Sequence, residues 1–211
     1  MLLFFPLPVK DLCMPAAIPT QVLVLASTSI YRRQLLERLG LPFITDRPEV
    51  DETPRAGETP VGTAERLAQE KARAVAARHP GALIIGSDQV AHRGTQRFDK
   101  PGTAERAIAQ LRNMSGQSIV FHTAVCLLDA DSGQSECIGV PTEARFRTLS
   151  EAEIVRYVER EAPLDCAGSA KSEGLGISLL EYMRGDDPTA LIGLPLIALS
   201  RLLRSHGISV P

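Results

Sequence analysis

An apolar run, Leu83-Ile84-Ile85, breaks abruptly into Gly86-Ser87-Asp88-Gln89. Such a run reads as a buried strand, so it delivers Asp88 where a carboxylate can be desolvated toward general-base duty or can hold a hard cation. Taken alone, an aspartate that caps a turn explains the position equally well. Its company shifts the balance. Glu52 lies in a long polar loop beside Asp51, Glu70 and Lys71 lie on the next helical stretch, and Lys100 sits in the loop FDKPGT. Carboxylates gathered with lysines and arginines are what metal-assisted attack on a phosphate requires.

Two further stretches could bind rather than react. In LASTSIYRR, a short apolar run is followed by Ser27, Ser29, and then Arg32 and Arg33 in a first helical turn. A strand, a small-residue turn and a helix start present free backbone N–H groups that suit a phosphate, and arginines add forked donors. A GxxxxGK[ST] sequence is absent, so this is not a P-loop; an ordinary basic pair on a surface helix accounts for the piece by itself. In AGSAKSEGLG, residues 167–176, glycines allow close backbone approach to a ligand and Glu173 stands between them. A carboxylate can accept two parallel hydrogen bonds from a guanine-type edge, N1–H and the exocyclic amine. The plain alternative is a surface loop. A Ser/Lys hydrolase pair, Ser169 or Ser172 with Lys171, is also open, although no nucleophile-elbow pattern surrounds either serine.

These side chains need elements to hold them. Gln21 to Ala26 reads as a strand, followed by a helix from about Ile30 to Leu39 that Gly40 ends. Leu41 to Thr45 forms a second strand, and Asp46 to Gly62, rich in proline and charge, reads as a loop long enough to be functional. Thr63 to Arg78 has helical spacing at Leu67, the Lys71 stem, Ala72 and Val75, and His79-Pro80-Gly81 stops it. After the LIIGSDQVA strand comes a polar loop through Lys100-Pro101-Gly102, then a helix opened by Thr103 that runs to about Asn113. Ser118–Asp129 and Glu136–Phe146 alternate like a hairpin around Asp131-Ser132-Gly133. Ser150 with Glu153 makes a capping box for a helix to about Glu161, and Leu194–Ser205 is a final helix. Strands alternating with helices, plus an antiparallel hairpin, predict an α/β protein with a mixed sheet.

Bulk properties narrow the classes. The 211 residues suffice for one domain with a proper core, and 44% hydrophobic with 23% charged residues are globular values. A formal charge of -2 argues against a dedicated nucleic-acid binder. The four cysteines have no metal-ligand spacing. Cys126 and Cys137 could face each other across the hairpin, but two reduced core thiols are the expected reading, which fits a cytoplasmic setting. Residues 1–19 read as a loose N-terminal extension ahead of one domain over 20–208, and no stretch reads as membrane-spanning.

Taken in order, the motifs resemble the Maf family of nucleotide pyrophosphatases. LASTSIYRRQLLERLG is similar to the family's LASxSPxRxxLL opening. VDET with a later GE, then RLAQEKAR, GSDQV, FDKPGTAERAIAQLRNMSG, FHTAVCL and AGSAKSEG follow where that family has its motifs. The likeness runs from about Val22 to Leu203. It implies an ITPase-like α/β fold, a mixed elongated sheet flanked by helices, with two lobes around a central cleft. It also implies hydrolysis of a nucleoside triphosphate to monophosphate and diphosphate with a divalent cation, Mg²⁺ or Mn²⁺. By the same likeness Asp88 is the proton acceptor, and Ser27, Arg32, Arg33, Lys71 and Lys100 hold phosphates. Glu52 with Asp88 carries the metal. Tyr31, Gln89 and Glu173 fall at the positions that sort substrates, and they resemble the YceF-type branch acting on 7-methyl-GTP, with Tyr31 in place of the usual Trp and Ile30 in place of proline. A dTTP/UTP or broad-range pyrophosphatase, and a nucleotide-binding regulator of cell division, remain alternatives. The partner implied is a small nucleotide, with no nucleic acid or membrane; a homodimer is compatible.

Overall fold

The computed structural model describes residues 21–210. Strand β1 (Leu23–Ala26) leads into helix α1 (Ile30–Glu37), β2 (Phe43–Asp46) and α2 (Pro60–Ala76). Next come β3 (Leu83–Arg93), β4 (Gln96–Arg97), α3 (Ala104–Met114), β5 (Ser118–Asp129) and β6 (Ser135–Phe146). The chain then runs through α4 (Glu151–Glu161), a loop with two 3₁₀ turns, β7 (Leu180–Arg184) and α5 (Leu196–Ser205). Among the described residues the strands form one seven-stranded sheet in the order β2-β1-β3-β5-β6-β7, with β4 paired to β3. β1 is parallel to β2 and β3, and the other pairings are antiparallel. This is the mixed sheet flanked by helices expected from the sequence. The proposed extension, residues 1–19, lies outside the described residues.

The β3–β5–β6 ribbon is long enough to carry two separate apolar cores. At one end Leu25, Leu83, Ile85, Val125 and Leu127 pack against α1 and α5 through Leu35, Leu36, Leu199 and Leu203. At the other, Phe121, Ala144 and Phe146 pack against α3 and α4 through Leu111, Met114, Ile154 and Val158. α2 covers the opposite face, with Ala72 and Val75 against Val24 and Ile84. That helix can come so close because residue 86 is glycine: a Cβ there would stand 2.0 Å from the Ala68 carbonyl oxygen. Between the two lobes β3 turns polar, with Ser87 and Asp88 buried and Thr123, the β5 partner of Gln89, buried beside them.

Local signals placed most helix ends well. Ser29, Thr59, Thr103 and Ser150 each accept a backbone N–H at a helix start, and the Ser150–Glu153 capping box forms. α2 starts earlier than its apolar spacing predicted, because Thr59 caps it and Pro60 fits its first turn. The LIIGSDQVA strand runs on to Arg93 and returns as β4 through a two-residue turn at Gly94-Thr95, where a polar loop had been expected. β7, with Leu180 its most apolar residue, carries no alternation that the sequence reading detected.

One expectation is overturned. The structure joins Cys126 to Cys137 as a disulfide, rather than leaving two reduced thiols. The two residues are direct cross-strand partners in the β5–β6 register, with Cα atoms 4.0 Å apart. The cysteine argument for a reducing compartment falls with it. Among the described residues no helix is long and apolar enough to cross a membrane.

Candidate active site

β3 has β1 as its neighbour up to Ile85 and β4 from His92, on the edge away from β5. The stretch between those pairings carries Asp88. Lys71, on the α2 face that crosses over it, donates to Asp88 Oδ1 at 2.6 Å and pairs with Glu52 Oε1 at 2.7 Å. Lys71 and Asp88 are both buried, whereas Glu52 is more than half exposed. Glu52 reaches inward from its loop because the loop is anchored. Arg66 of α2 bonds both Glu58 carboxylate oxygens and the Thr53 carbonyl, and the Thr63 hydroxyl donates to Glu58. Burial pushes the Glu52 carboxyl up, but the Lys71 hydrogen bond and the charges of Lys71, Lys100 and Arg32 outweigh it and hold it below the usual carboxylate range. Lys100, exposed on its loop, is therefore close enough to act on this cluster.

The β1–α1 turn supplies the facing wall. Ser27 Oγ accepts from the Ser29 amide, and Ser29 caps α1 by accepting from the Arg32 amide. Arg32 is half-buried and its Nε donates to the Gly193 carbonyl at 2.9 Å. Burial pushes its guanidinium below the ordinary value, while Asp88 and Glu52 push it back up. The same Gly193 carbonyl accepts from Ser87 Oγ at 3.0 Å, so one peptide aligns α1 with β3. Gly193 has φ +127°, a conformation that a side chain would resist. The segment is fixed in turn by Asp187, 3% exposed, whose carboxylate accepts from the amides of Thr189, Ile197 and Ala198 and from the Thr189 hydroxyl. It caps α5, whose own start, Pro195, offers no capping side chain. Asp187→Asn should lower unfolding stability by about 1–3 kcal/mol, since an amide turns one oxygen acceptor into a donor facing those N–H groups. The check is a lower urea midpoint with unchanged slope.

The structure does not gather every candidate. Arg33 is exposed and pairs with Glu37 on the outside of α1, away from Asp88. Glu70 pairs with Arg55 and Arg66 on the outer side of α2, and Asp51 turns back on its own loop to accept from Thr53. The hydrolase alternative at Ser169 loses its geometry: that hydroxyl is buried and donates to Gln110 Oε1 at 2.7 Å. The free thiol of Cys166 is pushed up to about 12, by burial first and then by the Asp165 charge, so it is no nucleophile at neutral pH.

The Maf-like protein family model matches residues 22–206, nearly the whole described chain. The chain belongs to the Maf family. Three curated relatives, each named 7-methyl-GTP pyrophosphatase, are similar over most of their length. The one from Aromatoleum aromaticum is 64% identical over 189 residues, covering 90% of this chain and 97% of its own. The Burkholderia thailandensis protein is 58% identical over 188 residues, 88% and 87% of the two chains. The Cupriavidus metallidurans protein is 56% identical over 185 residues, 88% and 93%.

In this Maf chain the three expected selectivity residues lie on both lobes. Tyr31 is in the first turn of α1 and its hydroxyl reaches Asp165 beyond α4. Gln89 Nε2 lies 3.0 Å from the Ala190 carbonyl and 2.9 Å from both the Leu191 carbonyl and the Thr123 hydroxyl. Its donors are engaged by the protein, which leaves its carbonyl oxygen to offer a ligand. Glu173 is exposed in the loop that follows, near enough to Tyr157 and Cys166 for its charge to act on both. The sequence reading missed Ser87, Thr123, Asp187 and Gly193. Their partners are far away in the chain or assembled by the loop itself, so no local pattern marks them.

Proposed function

We propose that this Maf protein hydrolyses 7-methyl-GTP to 7-methyl-GMP and diphosphate. The observation that carries the reaction is the buried Lys71 ammonium bridging Asp88 and Glu52, with Arg32 and Lys100 close by. Asp88 takes a proton from a water that attacks the α-phosphorus. The new bond forms from water oxygen to phosphorus, the bond from the α-phosphorus to the α,β-bridging oxygen breaks, and diphosphate leaves with that electron pair. Lys71, Arg32 and Lys100 stabilise the charge that develops on the phosphoryl oxygens.

The donor chemistry here fits a hard divalent cation. Mg²⁺ is held by one or two carboxylates plus substrate phosphates, and Glu52 and Asp88 already converge on a single positive charge. Those two residues would hold it, and when bound it would neutralise triphosphate charge. The cytoplasm, where nucleotide pools lie, belongs to the same proposal.

Base choice follows from acceptors. With its amide donors committed, Gln89 presents an oxygen, and Glu173 presents a carboxylate. Guanine's edge offers two adjacent donors, N1–H and the amine, whereas uracil and thymine offer one donor between two acceptors. The methylated ring also carries positive charge, which suits Tyr31 and the acidic residues near it. The test is diphosphate release from 7-methyl-GTP, GTP, UTP and dTTP with Mg²⁺ or Mn²⁺. Preference for UTP or dTTP would overturn the substrate. Tight binding without turnover would favour a regulator. Glu173→Gln should reduce kcat/KM for 7-methyl-GTP roughly 10- to 100-fold, the effect of replacing one charged hydrogen-bonding group, and leave UTP turnover within about threefold.

A further inference from the structure

Tyr31, expected to offer its ring to a base, is already in use. Its hydroxyl donates to Asp165 at 3.2 Å from Oδ2, a contact between residues 134 apart that joins α1 of one lobe to the loop after α4 of the other. The Lys171 ammonium stands over the ring, 5.8 Å from its centroid. It lies 3.8 Å from Asp165 Oδ1 and donates to the Glu161 carbonyl at 3.4 Å. The lysine side chain is only 16% exposed while that of Asp165 is 60% exposed, so the cation is tucked inside the contact and its counter-ion faces the solvent. Burial works against the ammonium, but its contact with Tyr31 and the charge of Asp165 more than offset that and keep it charged.

We propose that Tyr31, Asp165 and Lys171 form the charge subsite for the base, in which Asp165 selects a positively charged base and the Lys171 ammonium is a placeholder that the base displaces from the Tyr31 ring. The inference rests on the 7-methyl-GTP reading above. A place that holds a cation between an aromatic face and a carboxylate offers the two attractions a positively charged ring needs. When a methylated base enters, one cation replaces another and Asp165 keeps a counter-charge. When neutral guanine enters, Asp165 loses it. Asp165 therefore acts on the difference between the two bases. Lys171 must leave whichever base arrives, so it acts on both alike.

The two residues should separate cleanly in kinetics. Diphosphate release from 7-methyl-GTP and from GTP is measured for the wild type, Asp165→Asn, Asp165→Glu and Lys171→Met. Asp165→Asn should cut the ratio of the two kcat/KM values roughly tenfold, the size of one modest charge interaction, and Asp165→Glu should keep most of it. Lys171→Met should lower KM for both nucleotides by a similar factor, about three- to tenfold, with the ratio held within about twofold, matching loss of a cation–π contact of modest strength. Titration calorimetry of 7-methylguanosine and guanosine, which carry no phosphate, should reproduce both patterns in binding alone. A wild-type preference that survives Asp165→Asn within about twofold would overturn this inference and leave the substrate reading intact. A Lys171→Met effect on the ratio with no fall in either KM would also overturn it. Absence of any wild-type preference for the methylated base would remove the substrate reading, and the inference with it.

Discussion

Asp88→Asn lowers kcat for diphosphate release by about 10²- to 10⁴-fold, the usual contribution of a positioned general base. The substitution keeps the shape of the side chain and an oxygen for Lys71 to donate to, so the variant stays folded. Lys71 also retains Glu52 as an ionic partner at 2.7 Å. Its thermal midpoint should therefore move by a few degrees at most, and 7-methyl-GTP should still bind in a calorimeter. Loss of turnover with binding retained is the signature of a missing proton acceptor. Full turnover in this variant would take Asp88 out of that role. Lost binding and lost turnover together would make it a ligand for phosphate or cation instead. The carboxylate is buried on the stretch of β3 where neither β1 nor β4 pairs, and it meets Lys71 on the sheet face that α2 covers.

How much of this was legible beforehand depended on whether a signal was local. Caps at Thr103 and Ser150 are short-range hydrogen bonds between a hydroxyl and an amide three residues on, so they could be read directly. The hairpin of β5 and β6 followed from alternation and a turn. The cluster itself was legible only as a list of residue types. That Lys71 and Asp88 meet while Glu70 and Arg33 turn away is decided by which helix face packs on the sheet, and the apolar face of α2 did place Lys71 inward. Arg32 and Arg33 are adjacent, yet about 100° of helical rotation sends one to Gly193 and the other to solvent. Asp187 gave no signal because its partners, at Thr189, Ile197 and Ala198, are assembled only by the turn that it fixes. The cysteines were misread because composition speaks to compartment, whereas register places Cys126 and Cys137 directly opposite.

Lys71→Met should be more damaging to the fold than the loss of Asp88, and the damage should be partly reversible by a metal. Methionine fills the space of the buried lysine stem but removes the charge between Asp88 and Glu52, leaving a buried carboxylate facing another carboxylate. Removing one partner of a buried pair costs about 3–5 kcal/mol, and the charges of Arg32 and Lys100 nearby put the expected loss at the lower end, about 3 kcal/mol. For a chain of this size that corresponds to a fall in Tm of roughly 6–12 °C. Two uncompensated carboxylates attract a divalent cation more strongly than two that share an ammonium. Mg²⁺ or Mn²⁺ should therefore raise the Tm of Lys71→Met by more than it raises that of the wild type, by an amount that grows with metal concentration. Calcium-free thermal scans with and without either metal measure this without any turnover. An equal response in both proteins would mean that Asp88 and Glu52 do not share a cation, and the two carboxylates would then have to be assigned separate tasks. A larger response in the variant would show that the ammonium and the metal compete for one position, so that in the working enzyme Lys71 must yield toward the phosphates when the metal arrives.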